Sequence, residues 1–549
     1  MPPVAGSGGS GIFESVQRGN IEQVAFLIQS DRTVLKQKGW GGFTALHFAA
    51  LHGNRPVAEL LLNSGADPNI PCDAGQTAFH FASRHGNINI IHKMMQHGAD
   101  LRTMDHQGKT ALHHAVSGGS VIAIQYLWET GMFRFSDTDN FRITPLHIAA
   151  STGNTDVVSY LLRDSRCAVD AVDQQGATAL HVAAEKGMIE VCWLLLQSAG
   201  FHILHVRNNA GLTPWDLCSR GTSFRHQQLT NILSQFMNKP PDQKPKESYV
   251  MFYWTLFMPT LSGAVVLLVA AALGEYGGLF CGLFFPWLAK VTLSQYHRMS
   301  SYQRLPNPVY LGTLTAGIIH SLVCFYVKIL FSIWPAHALL HVSVLHFSLL
   351  LGLFWTVLTR NPGQLQKADS DPRFGSIADL VEGNQNPNRF CIYCEIFQVD
   401  NCKHCRLCDM CIQDYDHHCL FLNRCVGRDN HRLFVLFIMA MLVGHLIFIY
   451  AGGCYLHLKL TGLERSGWSV AVGKEPWVLL LTLLNVVTLA WESWLLTEQF
   501  DAIAMGTTTY FKQCRPREHS RRKRWTAVLS FLLEGKRRVG QKRSLLTDL

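Results

Sequence analysis

The sequence predicts an all-α, multi-domain chain: a helical-repeat solenoid, then a bundle of six membrane spans with a cytosolic metal-binding segment between spans four and five. Three observations carry this. A threonine-started pattern recurs every 33 to 35 residues through the first 237, long uncharged apolar stretches begin at Met251, and eight of the 16 cysteines fall between Cys391 and Cys425. At 549 residues the chain is several domains long. Hydrophobic residues at 48%, charged residues at 16% and a mean hydropathy of +0.10 exclude a disordered protein and place part of the chain in lipid.

The repeat reads T-[AP]-[LF]-H-x-A. It recurs at Thr44-Ala45-Leu46-His47, Thr77-Ala78-Phe79-His80, Thr110-Ala111-Leu112-His113, Thr144-Pro145-Leu146-His147 and Thr178-Ala179-Leu180-His181, with a degenerate copy at Thr213-Pro214-Trp215-Asp216. Each copy leads into a Gly-bearing turn and an apolar helix such as Val57–Leu62. This resembles the ankyrin repeat and assigns residues 1–237 to an ankyrin solenoid, with Ile12 to Ile28 as its N-terminal cap. The five repeat histidines sit one repeat apart, so they are expected to tie neighbouring turns together rather than to hold a metal. The solenoid reads as a protein-binding surface.

Residues 238–250 form a polar, Pro/Lys-rich linker, after which spans one to four occupy 251–358. Met251–Leu273 and Tyr276–Ala289 read as a first hairpin, Val309–Leu330 and Ala336–Leu358 as a second, and Leu433–Leu456 with Trp477–Thr497 as a third, within 433–500. His320, Lys328 and Glu492 fall inside spans, where the charged ones cost roughly 2.5–3.5 kcal/mol each on insertion, so they are expected to face the bundle or reach its edge. Lys290, Arg298 and Arg304, and then Lys512, Arg515, Arg517 and Arg521–Arg524, mark one side of the membrane as cytosolic. The opposite loops carry only Glu275 and a balanced Lys459, Glu464, Arg465, Lys474 and Glu475. The N-terminus, the cysteine-rich segment and the tail are therefore expected in the cytosol. Met1–Ser10 has no charged start before an apolar run, so no cleavable secretory signal is expected. From Tyr510 onward the tail, within 501–549, holds 12 basic and three acidic residues, which equals the whole chain's excess of +9 and suits anionic headgroups.

The cysteine-rich segment, 359–432, reads Cys391-x2-Cys394, His404-Cys405-x2-Cys408-x2-Cys411, Asp416-His417-His418-Cys419 and Cys425. Such spacing is that of structural zinc rather than of a disulfide framework. Two zinc ions need eight ligands, and eight Cys with three His leave about three residues for another task.

The run is similar to the cysteine-rich domain of the DHHC protein S-acyltransferases, and the whole chain resembles their ankyrin-bearing subgroup. The resemblance implies one zinc on Cys391, Cys394, His404 and Cys411 and another on Cys405, Cys408, His418 and Cys425. Cys402, His417 and Cys419 are then left over, and Asp416, His417 and Cys419 supply orienter, base and nucleophile. It implies ping-pong palmitoyl transfer: Cys419 takes the acyl group of palmitoyl-CoA and passes it to a cysteine of a protein recruited by the repeats. Partners would be protein substrates, acyl-CoA and the bilayer, with no nucleic acid, and the membrane would be Golgi or ER. Where the family has a basic-Pro-x-Arg run, Pro-Trp, Asp-Pro-Gly and Thr-Thr-x-Glu, this chain has Gln398-Val399-Asp400-Asn401, Leu420-Phe421, Asn361-Pro362-Gly363 and Thr507-Thr508-Thr509-Tyr510. Asn430 and Phe434 keep the family's spacing. The competing readings are a catalytically silent ankyrin scaffold and an ankyrin-linked channel. The complete Asp-His-Cys set favours the enzyme over the first, and a Leu456–Pro476 loop without a filter-like run speaks against the second.

Overall fold

The computed structural model describes residues 11–245, 252–265, 308–333, 337–369, 371–460, 475–512 and 521–535, with single positions at 268, 269, 272, 284 and 287. The chain divides into two units, Met1–Glu247 with Ser370–Phe397, and Ser248–Asp369 with Gln398–Leu549.

In the first unit each repeat starts at a capped helix. Thr44, Thr77, Thr110, Thr144 and Thr178 are extended N-caps, and each donates its backbone N–H to Nδ1 of the histidine three residues on, at 3.0–3.3 Å. An Nδ1 that accepts leaves the proton on Nε2, which donates to the following repeat. His47 reaches Gln76 O at 3.1 Å, His80 reaches Thr103 O at 3.2 Å, His147 reaches Ala177 O at 3.1 Å and His181 reaches Leu212 O at 3.2 Å. Burial holds His47 and His80 at a pKa of about 4, so both stay neutral and keep this tautomer. Four of the five repeat histidines, all but His113, are thus inter-repeat ties, as expected. Helix pairs Ala45–His52/Arg55–Asn63 through Ala179–Glu185/Ile189–Ala199 stack between an N-terminal pair, Ile12–Arg18/Ile21–Ser30, and a C-terminal one, Pro214–Ser219/Phe224–Met237.

The same unit contains a segment from far along the chain. A short helix, Ile377–Glu382, capped by Ser376, packs on the outer helices Ile88–Gln96 and Val121–Glu129. Ile377 N donates to Glu129 Oε2 at 3.3 Å, and Arg163 Nη1 donates to Ile392 O at 3.1 Å. Arg166 lies 4.9 Å from the ring centroids of both Trp128 and Tyr160 and 3.7 Å from Glu395. The hairpin of β1 (Phe390–Cys391) and β2 (Ile396–Phe397) closes this segment.

In the second unit four helices are long and apolar enough to cross a membrane: Pro308–Ser332, Leu339–Thr359, His431–Lys459 and Pro476–Ala504. These are the expected spans three to six. Residues 252–265 of expected span one are helical, while nearly all of Tyr276–Ala289, expected span two, lies outside the described residues. Large apolar side chains such as Val327, Leu345 and Trp355 face outward, as a lipid-facing surface requires. The polar residues of the spans face inward or reach a partner. His320 Nε2 lies 3.2 Å from Thr260 O, Lys328 pairs with Glu475 at 2.5 Å, and Glu492 is buried. Two hairpins sit between spans four and five: β3 (Lys403–Cys405) with β4 (Met410–Ile412), and β5 (His417–Cys419) with β6 (Arg424–Val426).

Candidate active site and metal centres

Left-handed residues shape the metal-binding turns. Glu395 and Asp409 follow the second cysteine of each C-x2-C at φ 53° and 49°, and Asn423 turns β5 into β6 at φ 49°. The β3–β4 and β5–β6 hairpins bring Cys405, Cys408, His418 and Cys425 together. His418 Nδ1 lies 3.4 Å from Cys408 Sγ, 3.5 Å from Cys425 Sγ and 3.7 Å from Cys405 Sγ, and the Cys408 and Cys425 sulfurs are 3.4 Å apart. Zinc bonds of about 2.3 Å to sulfur and about 2.0–2.1 Å to nitrogen give tetrahedral edges of roughly 3.5–3.8 Å, so this donor set fits zinc. The other four expected ligands divide between the units. Cys394 N donates to Cys391 Sγ at 3.4 Å in one, while His404 Nδ1 and Cys411 Sγ are 3.9 Å apart in the other.

β5 also carries Asp416's neighbour His417 and, two residues on, Cys419. Asp416 is 1% exposed. Oδ2 accepts from His417 Nδ1 at 2.7 Å and from Gln499 Nε2 at 2.9 Å, and Oδ1 accepts from Thr509 N at 2.8 Å. Burial would raise its pKa, but the His417, His431 and Gln499 contacts hold it well below the carboxylate range. His417 keeps Nε2 for Cys419; burial lowers its pKa, and the bonds to Asp416 and Cys419 outweigh that and lift it to about 10. Its ring packs edge-on against Phe434, centroids 5.3 Å apart. A protonated imidazole at this position would stabilise a neighbouring thiolate, the nucleophilic form of a cysteine.

Spans and tail hold this group in place. His431 Nε2 meets Gln499 Oε1 at 2.5 Å, linking spans five and six to Asp416, and Thr508 Oγ1 donates to Tyr415 O at 2.7 Å. The Thr507–Thr509 run therefore works without the family's acid. Asn361 likewise replaces an Asp without losing its turn, because Oδ1 accepts from Gly363 N and Gln364 N, both at 2.9 Å. Gly427, between β6 and span five, has no room for a Cβ, which would lie 2.5 Å from Pro362 O. Asn430 Nδ2 donates to Cys425 O at 2.9 Å. His431 and Gln499 went unnoticed in the sequence because nothing in their spacing ties them to Asp416.

Cys419 is buried and opens on a cavity of about 210 Å³ between the membrane helices, lined near it by Leu350, Phe434, Phe437, Ile438 and Met441. The Cys419 thiol thus faces a largely apolar slot.

Residues 384–514 match the DHHC palmitoyltransferase family, 67–132 and 132–206 match ankyrin repeats, and 41–73 match a single ankyrin repeat. The chain carries a DHHC palmitoyltransferase domain behind ankyrin repeats. Palmitoyltransferase akr1 of Emericella nidulans is 27% identical over 241 residues, 41% of this chain and 32% of that protein. Palmitoyltransferase ZDHHC13 of Homo sapiens is 29% identical over 194 residues, 34% of this chain and 29% of that protein, and its Mus musculus counterpart 24% over 326 residues, 56% and 50%. The chain spans about a third of the length of the first two relatives. All of Cys391–Cys425 falls within the DHHC domain, as do Gln499 and Thr509. Four apolar helices and palmitoyltransferase relatives make this an integral membrane protein.

Proposed function

We propose that the chain is a membrane protein S-acyltransferase that moves a palmitoyl-type group from acyl-CoA to protein cysteines through a Cys419 thioester. The observation that carries this is Cys419 standing beside the His417–Asp416 pair at the mouth of an apolar cavity. His417 Nε2 takes the Cys419 proton while Nδ1 stays bonded to Asp416, and the carboxylate stabilises the imidazolium that forms. The Cys419 thiolate attacks the acyl-CoA carbonyl, a new thioester forms, and CoA leaves as its thiolate and takes a proton. A substrate thiol then attacks that thioester and Cys419 leaves. The apolar cavity holds the acyl chain, whose burial is worth about 0.8 kcal/mol per CH2.

Zinc would supply only scaffolding in this reading: Cys405, Cys408, His418 and Cys425 would hold one ion, and the resemblance assigns Cys391, Cys394, His404 and Cys411 to a second. The repeats recruit protein substrates. The charge pattern supports a cytosolic N-terminus, cysteine-rich segment and tail, and the resemblance supports Golgi or ER.

Purified protein incubated with palmitoyl-CoA is expected to gain a hydroxylamine-labile adduct that Cys419→Ala lacks. Labelling of Cys419→Ala at the wild-type level would sink the mechanism. A correctly folded, zinc-loaded wild type that never labels would instead be the silent scaffold.

A further inference from the structure

The cavity is not apolar throughout. His445, Asn485, Glu492 and Ser321 also line it. Asn485 Oδ1, an acceptor, lies 2.6 Å from His445 Nδ1, so Nδ1 donates, and Asn485 Nδ2 donates to Leu481 O at 2.7 Å and Ser321 Oγ at 3.3 Å. His445 Nε2 and Glu492 Oε2 face each other at 3.3 Å. Glu492 is only 7% exposed. The other cation of the neighbouring span, Lys328, is committed to Glu475 at 2.5 Å. Buried ionisable pairs among membrane helices are uncommon, and this one lines the cavity.

An acyl chain anchored at Cys419 runs past this pair. His445 lies 11 residues beyond Phe434 on one helix. At 1.5 Å per residue that is about 16 Å, a depth that an extended chain reaches at roughly its tenth to thirteenth carbon. A plain alkyl chain at that depth leaves the two polar atoms only each other, at 3.3 Å. A hydroxyl group bridges the pair, donating to Glu492 Oε2 and accepting from Nε2–H of the His445 imidazolium, whose Nδ1–H is held by Asn485.

We infer that the cavity contains a polar subsite for an acyl chain oxygenated in its distal half, with His445 and Glu492 as its ligands and Asn485 orienting the imidazole. The inference rests on the acyl-transfer reading above.

The test measures Cys419 thioester formation by the full chain in lipid nanodiscs as a function of acyl-CoA concentration. Octadecanoyl-CoA is compared with its 12-hydroxy and 2-hydroxy derivatives. The 12-hydroxy chain is expected to half-saturate at roughly tenfold lower concentration than octadecanoyl-CoA, the yield of one hydrogen bond to a charged group, and the 2-hydroxy chain to gain nothing. Glu492→Gln, which exchanges one atom, should shrink that ratio, and Glu492→Leu with His445→Phe should bring it to one or below. Equal half-saturation of the three chains by wild type, or a ratio that no variant moves, would mean that the cluster holds water alone and would overturn the subsite. Absence of a Cys419 thioester with every acyl-CoA would instead bring down the acyl-transfer reading, and the subsite with it.

Discussion

Asp416 satisfies three donors with two oxygens, and those donors come from β5, span six and the segment after it. An amide in its place cannot accept from all three, because one of its two heads donates. Asp416→Asn is therefore expected to keep its zinc but slow Cys419 thioester formation on the order of 10²- to 10⁴-fold, as loss of the orienting acid does in comparable triads. Single-turnover labelling with zinc analysis reads both. Gln499 touches no reacting atom and acts through Asp416, a positioning role. Gln499→Leu removes the bond to His431 and leaves one Asp416 lone pair unfilled, which costs about 1–3 kcal/mol and should appear as a lower unfolding midpoint together with slower thioester formation. A lowered midpoint with an unchanged rate would reduce Gln499 to packing.

At the scale of elements, two segments do more than the sequence announces. The run Gln398-Val399-Asp400-Asn401, which lacks the family's positive charges, is used structurally. Gln398 Nε2 donates to Cys411 Sγ at 3.2 Å, and Asn401, at φ 59°, donates from Nδ2 to Asp414 Oδ1 at 3.3 Å. Gln398→Lys, which would restore a family charge, is therefore expected to speed zinc loss to a chelator, and unchanged release kinetics would count against that role. The segment Ser370–Phe397 rests on the repeats through Glu129 and Arg163. Each bond contributes on the order of 1 kcal/mol. Replacing both residues with Ala should raise amide hydrogen exchange within 377–397 while the repeat helices stay protected. Unaltered exchange there would mean that the segment holds itself.

For the whole molecule, the two kinds of architecture lose structure in different ways. A solenoid is stabilised by each repeat on its neighbour, whereas small hairpins such as β3–β4 and β5–β6 have little core beyond their ligands. Chelation is expected to remove two zinc ions per chain and abolish thioester formation while the helical signal of the repeats persists on heating. Cooperative loss of the repeat helices on chelation would contradict that independence. The repeats, spans three to six and the eight clustered cysteines were legible because each is periodic or apolar over a long stretch. The Thr-to-His capping box of each repeat and the C-x2-C knuckles are local, so spacing reports them. Gln499 lies 83 residues from Asp416, and Ile377 lies 248 from Glu129, separations at which no pattern in the chain records a contact.

The sequence by itself determined the repeat period, the inter-repeat role of His47, His80, His147 and His181, the apolar stretches of spans three to six and the clustering of Cys and His between Cys391 and Cys425. These follow from local bonding and from transfer free energy, which act on neighbours in the chain. Only the tertiary structure decided that Gln499, His431 and Thr509 hold Asp416, that Asn361 keeps its turn, and that a polar pair at His445 and Glu492 borders the cavity. Those arrangements depend on which faces of separate helices meet, and that is set by packing of the whole bundle rather than by any one segment.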